Sequence, residues 1–153
     1  MTRFFTVLSL LISVTSFAAA DDVIFHRTQV VGGKNHEAKA QLVFSPAARI
    51  LSVRVADRVV AEIPYDHIDK ISYEYSKHHR VKQGAIIMVA SLGAGGIVML
   101  TKSKSHWLYV DYKDNEIPKS IVLRMDNKEH KNILMTAREQ TEKEVAVSES
   151  KKG

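Results

Sequence analysis

One stretch limits what this chain can fold into: Gly84 to Leu100, GAIIMVASLGAGGIVML, an apolar run without a charged side chain. Lys77, Arg80 and Lys82 precede it, and Lys102 and Lys104 follow it. As a helix its 17 residues would extend roughly 25 Å, near the lower limit for crossing a bilayer. Three readings fit it. One is a short apolar helix packed on the domain or dipped into a membrane surface. Another is a full transmembrane span. The third is an apolar β-hairpin turning at Gly93-Ala94-Gly95-Gly96, with Ile86 to Ala90 against Ile97 to Leu100. A single span would put the segments on either side of it across the bilayer from each other, yet those segments read as strands of one sheet. Glycines in this run weaken a continuous helix in water, each by about 1 kcal/mol relative to Ala, but lipid tolerates them. The preferred reading is a helical apolar insertion, buried on the domain or interfacial, with an ordinary buried core element as the alternative.

Residues 1–20 have the make-up of a secretory signal: Arg3, then the uncharged apolar Phe4 to Phe17, then Ala18-Ala19-Ala20. Cleavage after Ala20 is expected, which takes the chain to the periplasm or cell envelope; an uncleaved anchor is the other reading. Arg3 is the only charged side chain in that segment, so its removal lowers the formal net charge from +5 to +4. A mildly basic balance favours an anionic surface such as lipid head groups. No motif interleaves basic and aromatic residues in a way that would indicate nucleic acid. With no cysteine in the chain, disulfides, cysteine-based zinc sites and thiol nucleophiles are excluded.

Asp21 to Val31 reads as a lead-in in which Val23, Phe25 and Val30-Val31 make at best a poor strand, followed by a linker at Gly32 to His36. From Ala40 the pattern is β. Gln41 to Ser45 is followed by a turn at Ser45-Pro46. Ile50 to Val55 and Val59 to Ile63, alternating across Ala56-Asp57-Arg58, signal a hairpin. Pro64 ends that strand, since it brings no ladder donor. Ile71, Tyr73 and Tyr75 alternate with Ser72, Glu74 and Ser76 as a half-buried strand. Beyond the apolar run, Trp107 to Tyr112 turns Leu108, Val110 and Tyr112 to one side and Trp107 and Tyr109 to the other. Lys113 to Pro118 is a polar turn, and Ser120 to Met125 another strand. Asp126 and Glu129 have capping-box spacing before an amphipathic helix running to about Val145.

Antiparallel strands followed by one C-terminal amphipathic helix, together with Ile63-Pro64-Tyr65-x-x-Ile68-x-x-Ile71-x-Tyr73 and His106-Trp107-Leu108-x-Val110-x-Tyr112, resemble pleckstrin-homology-like and GRAM-like domains over about residues 38–146. The resemblance implies a mainly β (α+β) fold: an antiparallel split barrel or roll with a C-terminal amphipathic helix. It also implies a binding or scaffolding module for lipids or peptides, and it carries over no catalytic residue. The apolar run departs from the pattern, because such domains have a short loop or strand there. The expected divisions are a signal peptide at 1–20, an N-terminal lead-in at 21–37, the β domain at 38–146 with its insertion at 84–100, and a disordered tail at 147–153.

The search for chemistry ends mostly in exclusions. His78-His79 and His106 flank the insertion and would approach if it folds back, but no His-x-x-x-His or His-Glu-x-x-His spacing marks a metal site. Gly93-x-Gly95-Gly96 fits neither a dinucleotide fingerprint nor a phosphate loop. Asp66, Asp69 and Glu74 lie in polar surroundings, and no Gly-x-Ser-x-Gly elbow is present. No catalytic, cofactor or metal residue is therefore assigned. The one constellation with a mechanism is the basic collar Lys77, Arg80, Lys82, Lys102 and Lys104, with Trp107, Tyr73 and Tyr75 close in sequence. Such charges contact anionic head groups, at about 1 kcal/mol each, while the apolar part enters the acyl boundary. The expected protein is an exported, non-enzymatic module of the cell envelope whose partner is an anionic membrane surface or another envelope protein. A small integral membrane protein and a small hydrolase are the alternatives.

Overall fold

The computed structural model describes residues 20–32, 37–77, 86–87 and 104–148. Its strands are β1 (Val23–Val31), β2 (Glu37–Ser45), β3 (Ile50–Val55), β4 (Arg58–Pro64), β5 (Ile68–Ser76), β6 (Ile86–Ile87), β7 (Ser105–Asp114), β8 (Ile117–Met125) and β9 (Val145–Ser148). One helix, α1 (His130–Thr141), stands between β8 and β9, and a 3-10 turn, Tyr65–His67, joins β4 to β5. The strands form one sheet in the order β4-β3-β2-β1-β8-β7-β5-β9, with β6 paired to β8 off this path. The chain is mainly β with a single helix, and the sheet does not close.

Local chemistry sets the turns. The two-residue connection between β7 and β8 places Asn115 and Glu116 at φ 50° and 64°, the left-handed pair that matches the twist of a tight hairpin. The expected six-residue polar turn is therefore shorter, and β8 starts at Ile117. Ala56 at φ 51° turns β3 into β4. Pro64 closes β4, and the Tyr65 N–H donates to Arg49 O at 2.9 Å, tying the start of the 3-10 turn to the β2–β3 connection.

The main core lies on one sheet face. Leu42, Phe44, Leu51, Ile63, Leu108 and Leu123 are fully enclosed there, and Ile133 and Ala137 of α1 complete it. The opposite face of β7 and β8 carries a second cluster, Val31, Trp107, Tyr109 and Val122. The period-2 split of β7 is therefore as the sequence indicated, with apolar side chains buried on both faces.

Three expectations are corrected. The lead-in is a nine-residue strand in the middle of the sheet, hydrogen bonded to β2 on one side and β8 on the other. Its register shifts between Phe25 and Thr28, so the buried positions change parity there. The capping box does not form: Asp126 Oδ1 accepts from the Lys128 N–H at 2.8 Å, while Glu129 Oε2 accepts from the Arg27 N–H at 3.0 Å. The helix stops at Thr141, because Glu142 takes a left-handed conformation at φ 58°. Val145 then opens β9, which runs parallel to β5 from Ile71↔Val145 to Glu74↔Ser148.

Of the insertion, Ile86 and Ile87 are extended and pair in parallel with Lys119 and Ser120, which is strand rather than helix at those two positions. Residues 84–85 and 88–100 lie outside the described residues.

Phe25 tests the status of β1. It is 8% exposed and meets Phe44 edge-to-face with ring centres 6.2 Å apart. Phe25→Ala should cost about 3 to 5 kcal/mol in urea unfolding. A loss within about 0.5 kcal/mol, the usual size for a surface position, would return Asp21 to Val31 to the status of a lead-in.

Candidate functional site

Among the described residues, a cluster of polar and aromatic side chains lies where β1, β5, β7 and β8 meet the turn that starts α1. The shift in β1 leaves Arg27 out of the β8 ladder, and its carbonyl instead accepts from the Asp126 N–H at 3.2 Å. The Asp126 carbonyl accepts from the N–H groups of Glu129 and His130 at 3.2 and 2.9 Å, which starts the helix. His130 is thereby set above β5 and β7, over the imidazole of His106.

These rings form a stack. His106 and His130 have ring centres 3.7 Å apart and planes within 8°. Tyr75, the register partner of His106, lies 4.7 Å from the His106 ring, and Tyr73 lies 5.9 Å away. Tyr73 Oη and His106 Nδ1 are 2.8 Å apart, and His106 Nε2 and Asn127 Oδ1 are 2.6 Å apart. His130 Nδ1 stands 2.9 Å from the Asn127 carbonyl oxygen. A carbonyl only accepts, so His130 carries its proton on Nδ1. His106, facing an amide oxygen and a phenol, donates from Nε2 and accepts at Nδ1. Both of its nitrogens are engaged internally, so the stack acts as a clamp between strand and helix.

Burial lowers the pKa of His106 below the ordinary value of 6.5, and the neighbouring His130 lowers it further. The Asn127 hydrogen bond and the Asp126 carboxylate oppose this. Burial raises the Tyr73 phenol, so it stays protonated and able to donate at neutral pH.

Beside the clamp is a cavity of about 230 Å³ lined by Arg27, Gln29, Lys104, Ser105, His106, Arg124, Met125, Asp126 and Asn127. Arg124 is held from two sides: its Nη1 donates to Glu37 Oε2 at 3.1 Å, and its guanidinium carbon lies 5.9 Å from the Trp107 ring centre. Glu37 is 2% exposed, so this ion pair is largely removed from water. Arg27 Nη1 is 4.0 Å from Asp126 Oδ1, a long ion pair between exposed groups.

The basic collar is brought together in part. Ser76 and Ser105 are register partners, so Lys77 after β5 and Lys104 before β7 stand at the same end of the sheet, both exposed. The Lys104 ammonium lies 5.7 Å from the Tyr75 ring centre. Arg80, Lys82 and Lys102 lie outside the described residues, as does His79, the expected neighbour of His106. Trp107 is placed differently from the expectation. It is 2% exposed and its Nε1–H donates to Ser76 O at 3.0 Å, so the indole is a core group here rather than a surface anchor. Tyr75 is the exposed aromatic of this region.

Sequence reasoning missed His130, Asn127, Arg27 and Arg124. None has a spacing signal: Arg124 reaches the site through strand pairing, Arg27 through the irregularity in β1, and Asn127 and His130 through the turn that starts α1. Among the described residues no group of three or more His, Cys, Asp or Glu is gathered as a metal site, and no helix is long and apolar enough to cross a membrane. No protein-family model and no curated protein matches the chain.

Because the folded state holds His106 below its unfolded pKa, the unfolded chain binds more protons in the window between the two values. Stability should thus be complete above pH 6.5 and fall as pH drops below it. Urea midpoints measured across this range should show the decline, and His106→Gln should flatten it. An unchanged slope in the variant would remove His106 as its source.

Proposed function

We propose that the chain is an exported, non-enzymatic binding module of the cell envelope, of pleckstrin-homology-like build, that rests on an anionic membrane surface through residues 84–100. The observation that carries this reading is the pairing of β5 with β7. Their register runs from Ile68↔Tyr112 to Ser76↔Ser105, so the two strands that flank the segment are neighbours in one sheet. A single crossing of the bilayer would separate those two strands. A segment that dips into one leaflet would keep them together.

The build has its own support. The order β4-β3-β2-β1-β8-β7-β5 is an antiparallel meander split between β4 and β5, with one helix after its last strand. Apart from β1, β6 and β9, antiparallel strands followed by one helix agree with the order that the resemblance over residues 38–146 implies. The charge pattern agrees with an anionic partner: Lys77 and Lys104, which flank the apolar segment in the chain, stand at the same end of the sheet. Each basic group near such a surface contributes about 1 kcal/mol.

Replacing residues 88–99 by a short Gly/Ser loop keeps Ile86–Ile87 on β8 and so leaves the described sheet intact. The expected result is a protein with unchanged circular dichroism that no longer floats with anionic liposomes, whereas the unaltered protein floats and is released by high salt. Retention through carbonate washing would identify an integral form instead. Loss of folding in the shortened protein would make the segment part of the core and remove the membrane reading.

A further inference from the structure

From the polar cavity beside the His106–His130 stack we infer a binding site for a phosphate ester that carries a neighbouring hydroxyl, of the glycerol phosphate type. Three cations line one small space: Arg27 from β1, Lys104 from the residue before β7, and Arg124 from β8. Asp126 is the carboxylate in the same lining, and Glu37 approaches Arg124 from the β2 side. Within the lining itself three positive groups face the single carboxylate of Asp126, while Glu37 and Glu129 bond Arg124 and the Arg27 backbone from outside it. Ser105 and Asn127 add a hydroxyl and an amide to the wall. Donors converging from three strands and a turn suit a tetrahedral oxyanion, whose oxygens point in several directions at once.

Size and the leftover polar group narrow the ligand. At about 230 Å³ the cavity is below the roughly 300 to 1,000 Å³ of pockets for drug-sized molecules and well above the roughly 30 Å³ of one water. It therefore admits a small hydrophilic group. Gln29 lines it, and Gln29 Oε1 is buried without a hydrogen-bond partner. Buried acceptors are normally satisfied. A bare phosphate offers no donor when fully ionised, whereas a hydroxyl beside the phosphate would donate to Gln29 once its side chain turns from its buried position toward the cations.

The position of the site indicates a source for such a ligand. Lys104 belongs both to the cavity wall and to the sheet end that it shares with Lys77, and these two lysines flank the apolar segment in the chain. An anionic phospholipid with a glycerol headgroup would place its phosphate ester in the cavity. The lipid form of the ligand rests on the membrane reading given above, but the phosphate-ester site does not.

The test titrates the purified protein with glycerol phosphate, inorganic phosphate and uncharged glycerol. Binding is followed by calorimetry and by emission of Trp107, the chain's single tryptophan, which lies against Arg124. Saturable binding of glycerol phosphate, weaker binding of phosphate and none of glycerol are expected. Arg27 and Lys104 are exposed, so R27Q with K104Q should fold normally and weaken glycerol phosphate by about tenfold or more, as loss of charge-assisted bonds implies. Gln29→Ala should erase the preference for the ester over phosphate. The inference is overturned if neither anion binds saturably at millimolar concentration, or if the double variant binds as tightly as the parent.

Vesicles of phosphatidylglycerol and of phosphatidylcholine separate the sources. Capture by the former alone, reversed by soluble glycerol phosphate, supports the lipid form. Binding of soluble ester without vesicle capture supports the pocket and overturns the membrane reading. Vesicle capture by a protein that does not bind the soluble ester, and is not displaced by it, overturns the pocket and leaves the membrane reading standing.

Discussion

The fold depends on β1 having two partners. β1–β4 form one antiparallel run and β5, β7 and β8 another; among the described strands, β1–β8 is the pairing that joins them. That contact is short, from Thr28↔Met125 to Val30↔Leu123. It is reinforced where the register of β1 shifts, because the Arg27 backbone bonds Asp126 and Glu129 instead of continuing the ladder. Thr28 is buried and donates its hydroxyl to Ala40 O at 2.8 Å, which fixes the same point against β2. One irregularity in β1 thus sets the sheet junction, the approach of α1 and the lining of the polar cavity.

Electrostatics at this junction differ by depth. Glu37 is buried and Arg124 is partly buried, so their ion pair is largely out of water and removal of Arg124 would leave the Glu37 carboxylate at a large desolvation cost. Arg27 and Lys104 are solvated, and their long or aromatic contacts hold them loosely. A fixed guanidinium beside two adaptable cations lets a small anion be met without rebuilding the core. The His106–His130 stack contributes differently, by joining β7 to the first residue of α1 through rings that remain stacked when neutral.

Much of the β framework was legible in the sequence, for physical reasons that also explain the failures. β7 parts Leu108, Val110 and Tyr112 from Trp107 and Tyr109 as the spacing requires. In β5, whose register shifts between Ile68 and Lys70, Ser72, Glu74 and Ser76 are buried and Tyr75 is exposed, the reverse of the half-buried pattern expected. β1 breaks alternation: Val23 and Phe25 face the core before the register shift and Thr28 and Val30 after it, so the odd and even positions exchange roles. A smaller shift between Val53 and Arg54 leaves Val59 exposed although its spacing puts it with Ile63. The end of α1 carries no glycine, because Glu142 adopts the left-handed turn itself, and Val145 keeps a helical rhythm while belonging to a strand. Glu129 has the right spacing for a cap, but a backbone donor 102 residues away takes its carboxylate. The polar cavity was invisible for the same reason: Arg27, Lys104 and Arg124 are neighbours only after strand pairing.

The β1–β8 junction also has a meaning in time. Thr28 and Met125 stand 97 positions apart in the chain (125 − 28), and nearly every other strand lies between them. Contacts of such sequence separation form late and slowly, because a long loop must close before they contribute. A chain delivered from its N-terminus presents β1 first, yet β1 gains its second partner only when β8 has followed. Until then the β1–β4 half keeps an open edge, a surface prone to pairing with other chains. Folding of this domain is therefore sensitive to the rate at which the polypeptide is supplied.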